Sequence, residues 1–579
     1  MSESRERRGA GSGTTPVDGE GGALRTGGED GTGQVAVPPA HDARETVRIR
    51  HNDYGALAPP ALGGWEPRLG VSVVIAAYDC QESLDRTLAS LAAQTYPGHL
   101  MEVVVADDGS DPPLRLPETA PARTRIVRVP EGRWGRGWAR RTGAAEASGD
   151  VLHWVDADVV LDREHVEAHM RWHHLAPYAV VLGDLRFTPE PSGAAPAAQE
   201  ILTAVRHGRA GDLFPVSAPH AWRADRLAET DRLREAGSRA YQLHSGASTS
   251  VPLTLLRAAG GVNTALNMGE DTDLGFRLAQ AGAVFVPDAD AVCWHLGPST
   301  VMTREKEVHR HNWSVLPDLI PDLRWLRTHP RRTWLVPYVR VVVDAAGATY
   351  EEVRASVDAA LAGTLADVAV TVTGPWSTLP EGRRPSLDEP LLDLRLVRNL
   401  YTNEPRVSFS EKTPDAAPSP FRLLCPAGWA LGADTLDRLV KHAEGEEYGL
   451  LSVVLDERES GVTAARLERT AAFARAALVT GEGDDRDDLV HEMFGSLWVG
   501  GEEYGFAPAD RPQPVAGDTA RWRAEAARWR REAERLGDEV ESLRREAREL
   551  RERAGRSDGE RRRGPIGEII ATVWHRRAG

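Results

Sequence analysis

The stretch Leu152–Val160, LHWVDADVV, decides how this chain folds. Its apolar residues, with Val151 before them, read as a short buried strand. The strand runs into Asp156-Ala157-Asp158. Side chains alternate along a strand, so both carboxylates point to one side, where a hard cation and its oxygen-rich ligand would suit them. Two bare carboxylates at a strand's end repel each other, and a divalent ion relieves that repulsion. A DxD taken alone reads more readily as an acidic loop with solvated charges, so its neighbours decide the matter.

Upstream, Val71–Tyr78 (VSVVIAAY) is almost continuously apolar, as expected of a strand in a parallel sheet covered on both faces. Leu84, Leu88 and Leu91 follow at helical spacing, with Ser83 placed as the N-cap and Pro97 just beyond the end. Met101–Ser110 (MEVVVADDGS) is a second buried strand running into Asp107-Asp108. Strand, helix and strand make a βαβ unit with a right-handed crossover. Ligands of such sheets bind beyond the carboxyl ends of the strands. Tyr78, Asp107, Asp108, Asp156 and Asp158 all fall at that edge.

The whole chain sets bounds on this site. At 579 residues it is too long for one ordinary core, so two or three domains are expected. Hydrophobic residues make up 41%, enough for substantial cores. A net charge of -16 argues against general nucleic-acid binding, which needs a basic surface. Cys80, Cys293 and Cys425 are widely spaced, lack metal-ligand spacing and fit a reducing compartment. No apolar run reaches about 18 residues and no leader is visible, so the expected location is cytoplasmic.

Four stretches carry a resemblance. Val73–Pro97, then Val103–Ser110, then Gly135–Val160 (GRGWARRTGAAEASGDVLHWVDADVV) resemble the family 2 glycosyltransferases of the GT-A fold. Gly246–Gly282, GASTSVPLTLLRAAGGVNTALNMGEDTDLGFRLAQAG, resembles their second half. The resemblance covers about Val71 to Gly297. It implies a Rossmann-type mixed sheet and a metal-dependent, inverting transfer of a sugar from a nucleotide-diphosphate donor, UDP-linked or similar, to an acceptor hydroxyl. Ala76, Tyr78 and Glu82 would line the nucleotide pocket. Asp107 would read the base, with Asp108 continuing its loop. Arg140 would lie near the diphosphate; Arg141 stands where the family has Asn, which leaves that contact open. Asp156 and Asp158 would hold the ribose and a Mn2+ or Mg2+ ion, with Asp158 the direct ligand. In Gly269-Glu270-Asp271, Asp271 would be the catalytic base, with Glu270 the next carboxylate in line. Both acids also suit a helix cap. His295 is implied as a third metal ligand, and beside Trp294 it reads equally as structural. The long, irregular stretch from Gly183 to Tyr241 would shape an acceptor site whose ligand the sequence does not name.

Past about residue 335 the pattern begins again. Trp334–Trp376 echoes the first strand, helix and strand, and Phe421–Ala443 echoes Val151–Met170. In this second copy Thr373-Gly374 stands for Asp107-Asp108, and Pro426-Ala427-Gly428 for the DAD. The expectation is a catalytic domain over residues 46–330 and a degenerate GT-A-like domain over 335–510, without donor chemistry. An unrelated α/β domain of the same period is the alternative. The acidic run Gly481–Asp488 (GEGDDRDD) reads as a solvated loop. Residues 1–45 are polar and Gly-rich and should be disordered. From Trp522 to Ala554, alternating three- and four-residue spacing suggests a coiled coil over 518–556 and self-association, or a single solvated helix. The tail, 557–579, pairs arginines with Ile566, Ile569, Ile570 and Trp574, which suits either peripheral contact with an anionic membrane or docking on the protein. A non-catalytic sugar- or nucleotide-binding scaffold is the competing function. A nucleotidylyltransferase would want a Gly-rich phosphate loop and a lysine near the first strand, and Val71–Ser83 has neither.

Overall fold

The computed structural model describes residues 46–189, 195–329, 332–510 and Arg535. The expected disordered leader, the heptad-like seam and the basic tail lie outside the described residues, Arg535 excepted. The first sheet is built from β1 (Val71–Ala77), β2 (Met101–Asp107), β3 (Thr124–Arg128), β4 (Val151–Asp156), β5 (Val159–Leu161), β6 (Ala179–Phe187), β7 (Ser248–Pro252) and β8 (Val284–His295). Their order is β3-β2-β1-β4-β7-β6-β8-β5. β1 to β4 are parallel neighbours, β7 runs antiparallel between β4 and β6, and β5 runs antiparallel to β8. Val73, Ile75, Val103, Val105 and Val155 are fully or almost fully buried, as their unbroken apolar runs require.

Two local readings change. LHWVDADVV is two strands, not one: β4 ends at Asp156 and a turn at Ala157-Asp158 leads into β5. The helix after β1 spans Gln81–Leu91 with Cys80 at its N-cap, so Ser83 lies inside it. There Gln81 holds the first turn, its Nε2 donating to Asp85 at 2.7 Å and to the Arg115 carbonyl at 2.9 Å.

The second sheet contains β9 (Val339–Asp344), β10 (Val368–Thr373), β11 (Val407–Ser410), β12 (Phe421–Cys425), β14 (Leu450–Arg458), β15 (Gly461–Arg469) and β16 (Ser496–Gly500). β13 (Trp429–Leu431) and β17 (Phe506–Pro508) pair separately. The order β11-β10-β9-β12-β15-β14-β16 repeats that of the first sheet, with the same parallel and antiparallel neighbours. Val71 faces Met101 and Val151, as Val339 faces Val368 and Phe421. From those anchors Asp156 and Asp158 correspond to Pro426 and Gly428. The β5–β8 pair Val159–His295 corresponds to the β13–β17 pair Trp429–Pro508. Asp107 corresponds to Gly374; Thr373, opposite Asp344, occupies the place of Ala106, one residue from where the sequence echo puts it.

The halves share a core. Ala472, Ala476, Val479, Val490 and Phe494, from helices Thr470–Val479 and Arg486–Phe494, lie in one apolar cluster with Ile49, Tyr178, Val284 and Phe285. Arg475 is buried at that seam and donates to the carbonyls of Gly282 (2.9 Å), Ala283 (2.8 Å) and Ile49 (3.2 Å). The GEGDDRDD acids are taken up locally. Asp484 pairs with Arg48 at 2.9 Å, Asp487 with Arg466 at 2.7 Å, and Asp485 caps the following helix. Helices Ala198–Arg206 and Ala221–Glu229 give the stretch after β6 more regular structure than expected. Among the described residues no helix is long and apolar enough to cross a membrane.

Candidate active site

The turn between β4 and β5 brings three groups together. β5 pairs with the end of β8, which sets Val159 opposite His295. One ligand atom from each of Asp156, Asp158 and His295 then lies within 4.8 Å of the others, and His295 Nε2 stands 3.6 Å from Asp158 Oδ1. His295 Nδ1 is 3.0 Å from the Gly297 carbonyl. A carbonyl only accepts, so Nδ1 carries a proton and Nε2 turns its remaining valence toward Asp158. Burial, and then the neighbouring Asp156, push the Asp158 carboxyl up against the pull of His295. Two carboxylates and an imidazole with one under-compensated acid fit a divalent cation.

Behind them runs a buried ion-pair chain. Arg140, on helix Arg136–Ala145, donates from Nη1 to Glu270 Oε1 at 2.7 Å and from Nη2 to Asp156 Oδ1 at 3.1 Å. Burial alone would push the guanidinium down; Glu270, Asp156 and Asp271 outweigh it and hold it up. Burial likewise pushes the Asp156 carboxyl up, but Arg140, Arg136 and His295 prevail and keep it below the ordinary range. Gly246 lies against the guanidinium, where a Cβ would collide with it. Arg140 thus joins the DxD to the start of helix Glu270–Gln280, 130 residues on.

That helix begins after Gly269, whose φ of 79° is left-handed. Glu270 is 2% exposed, and burial raises its carboxyl although Arg140 pulls it down. It is a partner of Arg140 rather than a group facing solvent. Asp271 is half-buried in the first turn, its Oδ1 accepting from the Thr272 amide at 2.8 Å. Its own carbonyl lies 2.8 Å from His244 Nδ1, and burial holds that imidazole down at about 4. His244 carries no motif in the sequence, and Arg136, though inside GRGWARRTG, has nothing local to tie it to Asp156.

The β2 end is built differently. Asp107 is buried and accepts the Ser110 amide at 2.8 Å. Asp108 accepts the Gly135 amide at 2.7 Å, tying β2 to the start of helix Arg136–Ala145. Ala76 and Asp156 are opposite each other in the β1–β4 ladder. Tyr78, 60% exposed, overhangs this edge. Glu82 is exposed as well and reaches Arg86 at 3.5 Å.

Comparison with known proteins bears on the same stretch. Residues 72–227 match the model of glycosyl transferase family 2. Validoxylamine A glucosyltransferase of Streptomyces hygroscopicus subsp. limoneus is 38% identical over 117 residues, 20% of this chain and 26% of that protein. Glycosyltransferase AglE of Haloferax volcanii is 30% identical over 129 residues, 22% of this chain and 42% of that one. The chain therefore spans well under half the length of these relatives. A mannosyltransferase from Pyrobaculum calidifontis, solved in complex with GDP-Man and Mn2+, is 18% identical over 45% of this chain and 66% of that one. Its TM-score of 0.28 adds nothing to the fold described above. The likeness to glycosyl transferase family 2 thus spans residues 72–227, which carry Asp107, Asp108, Arg140, Asp156 and Asp158.

Proposed function

We propose that the first half is a metal-dependent, inverting glycosyltransferase that moves a sugar from a nucleotide-diphosphate donor to an acceptor hydroxyl. The observation that carries this reading is the meeting of Asp156, Asp158 and His295 at the carboxyl edge of a sheet whose sequence matches glycosyl transferase family 2. Asp158 and His295, with Asp156, are the residues to hold Mn2+ or Mg2+. When bound, such an ion offsets charge on the departing diphosphate. Asp107 and Asp108 close the neighbouring strand end, where the nucleoside would lie. Arg140 and Glu270 are positioning residues: the guanidinium keeps Asp156 ionised and fixes the helix that carries Asp271. Asp271 is the base. A sugar hydroxyl is a poor nucleophile, and a carboxylate aimed at it takes the proton as the new bond forms. Attack from the side opposite the diphosphate inverts the anomeric centre.

Calorimetric titration of the full chain with UDP, with and without Mn2+, tests the donor site. Metal-dependent binding supports the reading, and absent or metal-indifferent binding counts against it in favour of a scaffold. Hydrolysis of a panel of nucleotide sugars then identifies the donor, with glucosyl donors first because the 38%-identical relative is named a glucosyltransferase.

A further inference from the structure

Beneath the acidic edge stands a second cluster that sugar transfer does not use. His153 lies on β4 three residues before Asp156, so alternation sends the two side chains to opposite faces. Helix His165–His173 covers the His153 face and presents His165, His169 and His173 on one stripe. From β7, Ser248 and Ser250 close the group. His153, His165 and His169 have no solvent exposure, and His173 has 1%. The His153 ring centroid is 5.2 Å from that of His165 and 4.2 Å from that of His169. One ring nitrogen from each of these three lies within 4.8 Å of the other two.

The hydrogen bonds here do not close. His165 Nδ1 is 2.9 Å from the Val292 carbonyl, so it carries a proton and leaves the Nε2 lone pair inside the cluster. That Nε2 is 3.2 Å from Ser248 Oγ, and His169 Nε2 is 3.4 Å from the same oxygen. That hydroxyl can donate to His165 Nε2 while accepting from His169 Nε2–H, with His169 Nδ1 taking the Ser250 proton, so these two rings are satisfied and His153 is the one left out. Neither ring nitrogen of His153 has a hydrogen-bond partner among the described residues. A buried imidazole left bare costs free energy. Protonation offers no escape, because burial holds His165 down at about 4 and, with the neighbouring imidazoles, pushes His153 and His169 well below the ordinary value. The rings are neutral at pH 7 and their lone pairs are available.

We propose that His153, His165 and His169 bind a transition-metal ion that prefers imidazole, zinc being the first candidate, as a structural centre under the donor site. Imidazole suits zinc, and deprotonated rings are what it requires. The outer partners are those of a ligating histidine: the Val292 carbonyl on His165, and Ser250 Oγ, 2.8 Å from His169 Nδ1. Zn–N bonds of about 2.0–2.1 Å in a tetrahedron put nitrogens about 3.3 Å apart, so the rings close inward by an ångström or so at the widest pair. Ser248 Oγ, between His165 and His169, stands at the fourth position. Room is kept by Gly183, where a Cβ would press on Ser248 Oγ and His165 Cε1. Such a centre would pin β4, β7 and helix His165–His173 together, and so fix the strand that ends in Asp156.

The test is elemental analysis of the full chain, produced in zinc-supplemented medium, treated with EDTA and desalted. The wild type should retain about one zinc per chain. Asp158→Ala, which removes a ligand of the donor-site cation, should retain it as well, and so should His173→Gln; His169→Ala and His153→Gln should lose it. If those two variants fail to fold, X-ray data from wild-type crystals at the zinc edge decide, with an anomalous peak expected among the three rings. Less than about a tenth of a zinc per wild-type chain, zinc lost with Asp158→Ala but kept with His169→Ala, or an anomalous peak elsewhere, each overturns the proposal.

Discussion

Replacing Arg140 with Met removes the charge that links Asp156 to Glu270 while filling the space of its stem. The guanidinium lies 2.7 Å from one carboxylate and 3.1 Å from the other. Glu270 is fully enclosed; Asp156 is partly buried, with a side-chain exposure of 23%. Breaking a buried pair by deleting one partner costs about 3–5 kcal/mol, because a buried charge is left uncompensated. Arg140→Met should therefore lower the stability of the first half by that amount at neutral pH. The sign of the pH dependence follows from the same geometry. Without Arg140, burial dominates, and both carboxyls rise above their unfolded values of 3.8 and 4.5. A raised carboxyl favours folding below its unfolded pKa and loses that contribution as pH rises through the folded one. The deficit should thus be small near about pH 4 and complete by about pH 8. Urea unfolding followed by tryptophan fluorescence, at both pH values, measures it. Arg140→Met/Glu270→Met, which removes one orphaned charge, should recover about 1–3 kcal/mol of the loss. A single-variant cost below about 1 kcal/mol, or one that ignores pH, would refute the claim that this arginine holds two buried acids.

Asp271→Asn should leave UDP and metal binding unchanged by calorimetry while lowering transfer by about 100-fold or more, the range of general-base loss. Arg475→Ala strips the carbonyls of Gly282, Ala283, Ile49 and His51 of their donor and should cost at least about 3 kcal/mol in urea unfolding; an unchanged midpoint would mean the halves do not depend on that seam. Burial pushes the Asp322 carboxyl up to about 6 from 3.8, so its favourable contribution is complete below about 3.8 and gone above about 6. Asp322→Asn should therefore raise the thermal midpoint at about pH 8 and leave it unchanged near pH 4. Glu102 has the opposite sign. Although burial pushes it up, Arg125, Ser72 and Ser148 bring it down to about 2, so Glu102→Gln should cost stability above pH 4.5 and nothing near pH 2, read from thermal midpoints.

The strands nearest the site were legible because their sequences leave little choice. VSVVIAAY and MEVVVADD are too apolar for anything but a doubly covered sheet, and the acids that end them mark the edge. The break between β4 and β5 was hidden, because buried apolar residues run almost unbroken up to the turn at Ala157-Asp158 and on from it. Contacts across long separations were beyond reach. Arg140 and Glu270 are 130 residues apart, and nothing local in RGWARRTG says which acid its arginine will meet. The shared core was also invisible: nothing local in TAAFARAALV, residues 470–479, says that its buried residues join Tyr178 and Val284 in one cluster. The histidine stripe is different. HVEAHMRWH displays its i, i+4 and i+8 spacing openly, but a stripe of histidines means little until His153 arrives opposite it from β4.

The two sheets show which parts of this architecture chemistry requires and which packing requires. Strand order, direction and register survive in both halves, and so does the apolar interior of β9, β10 and β12. What differs is confined to the edge. The positions of Asp156, Asp158 and His295 correspond to Pro426, Gly428 and Pro508, three residues whose side chains offer a cation nothing. Yet the strand pairing that would bring such ligands together is kept: β13 and β17 pair as β5 and β8 do. In the second half that pairing is held by backbone hydrogen bonds and by the buried Leu431 and Phe506, and it needs no metal. The converse holds in the first half. Its acids are costly to gather, and Arg140, buried between Asp156 and Glu270, offsets two of them.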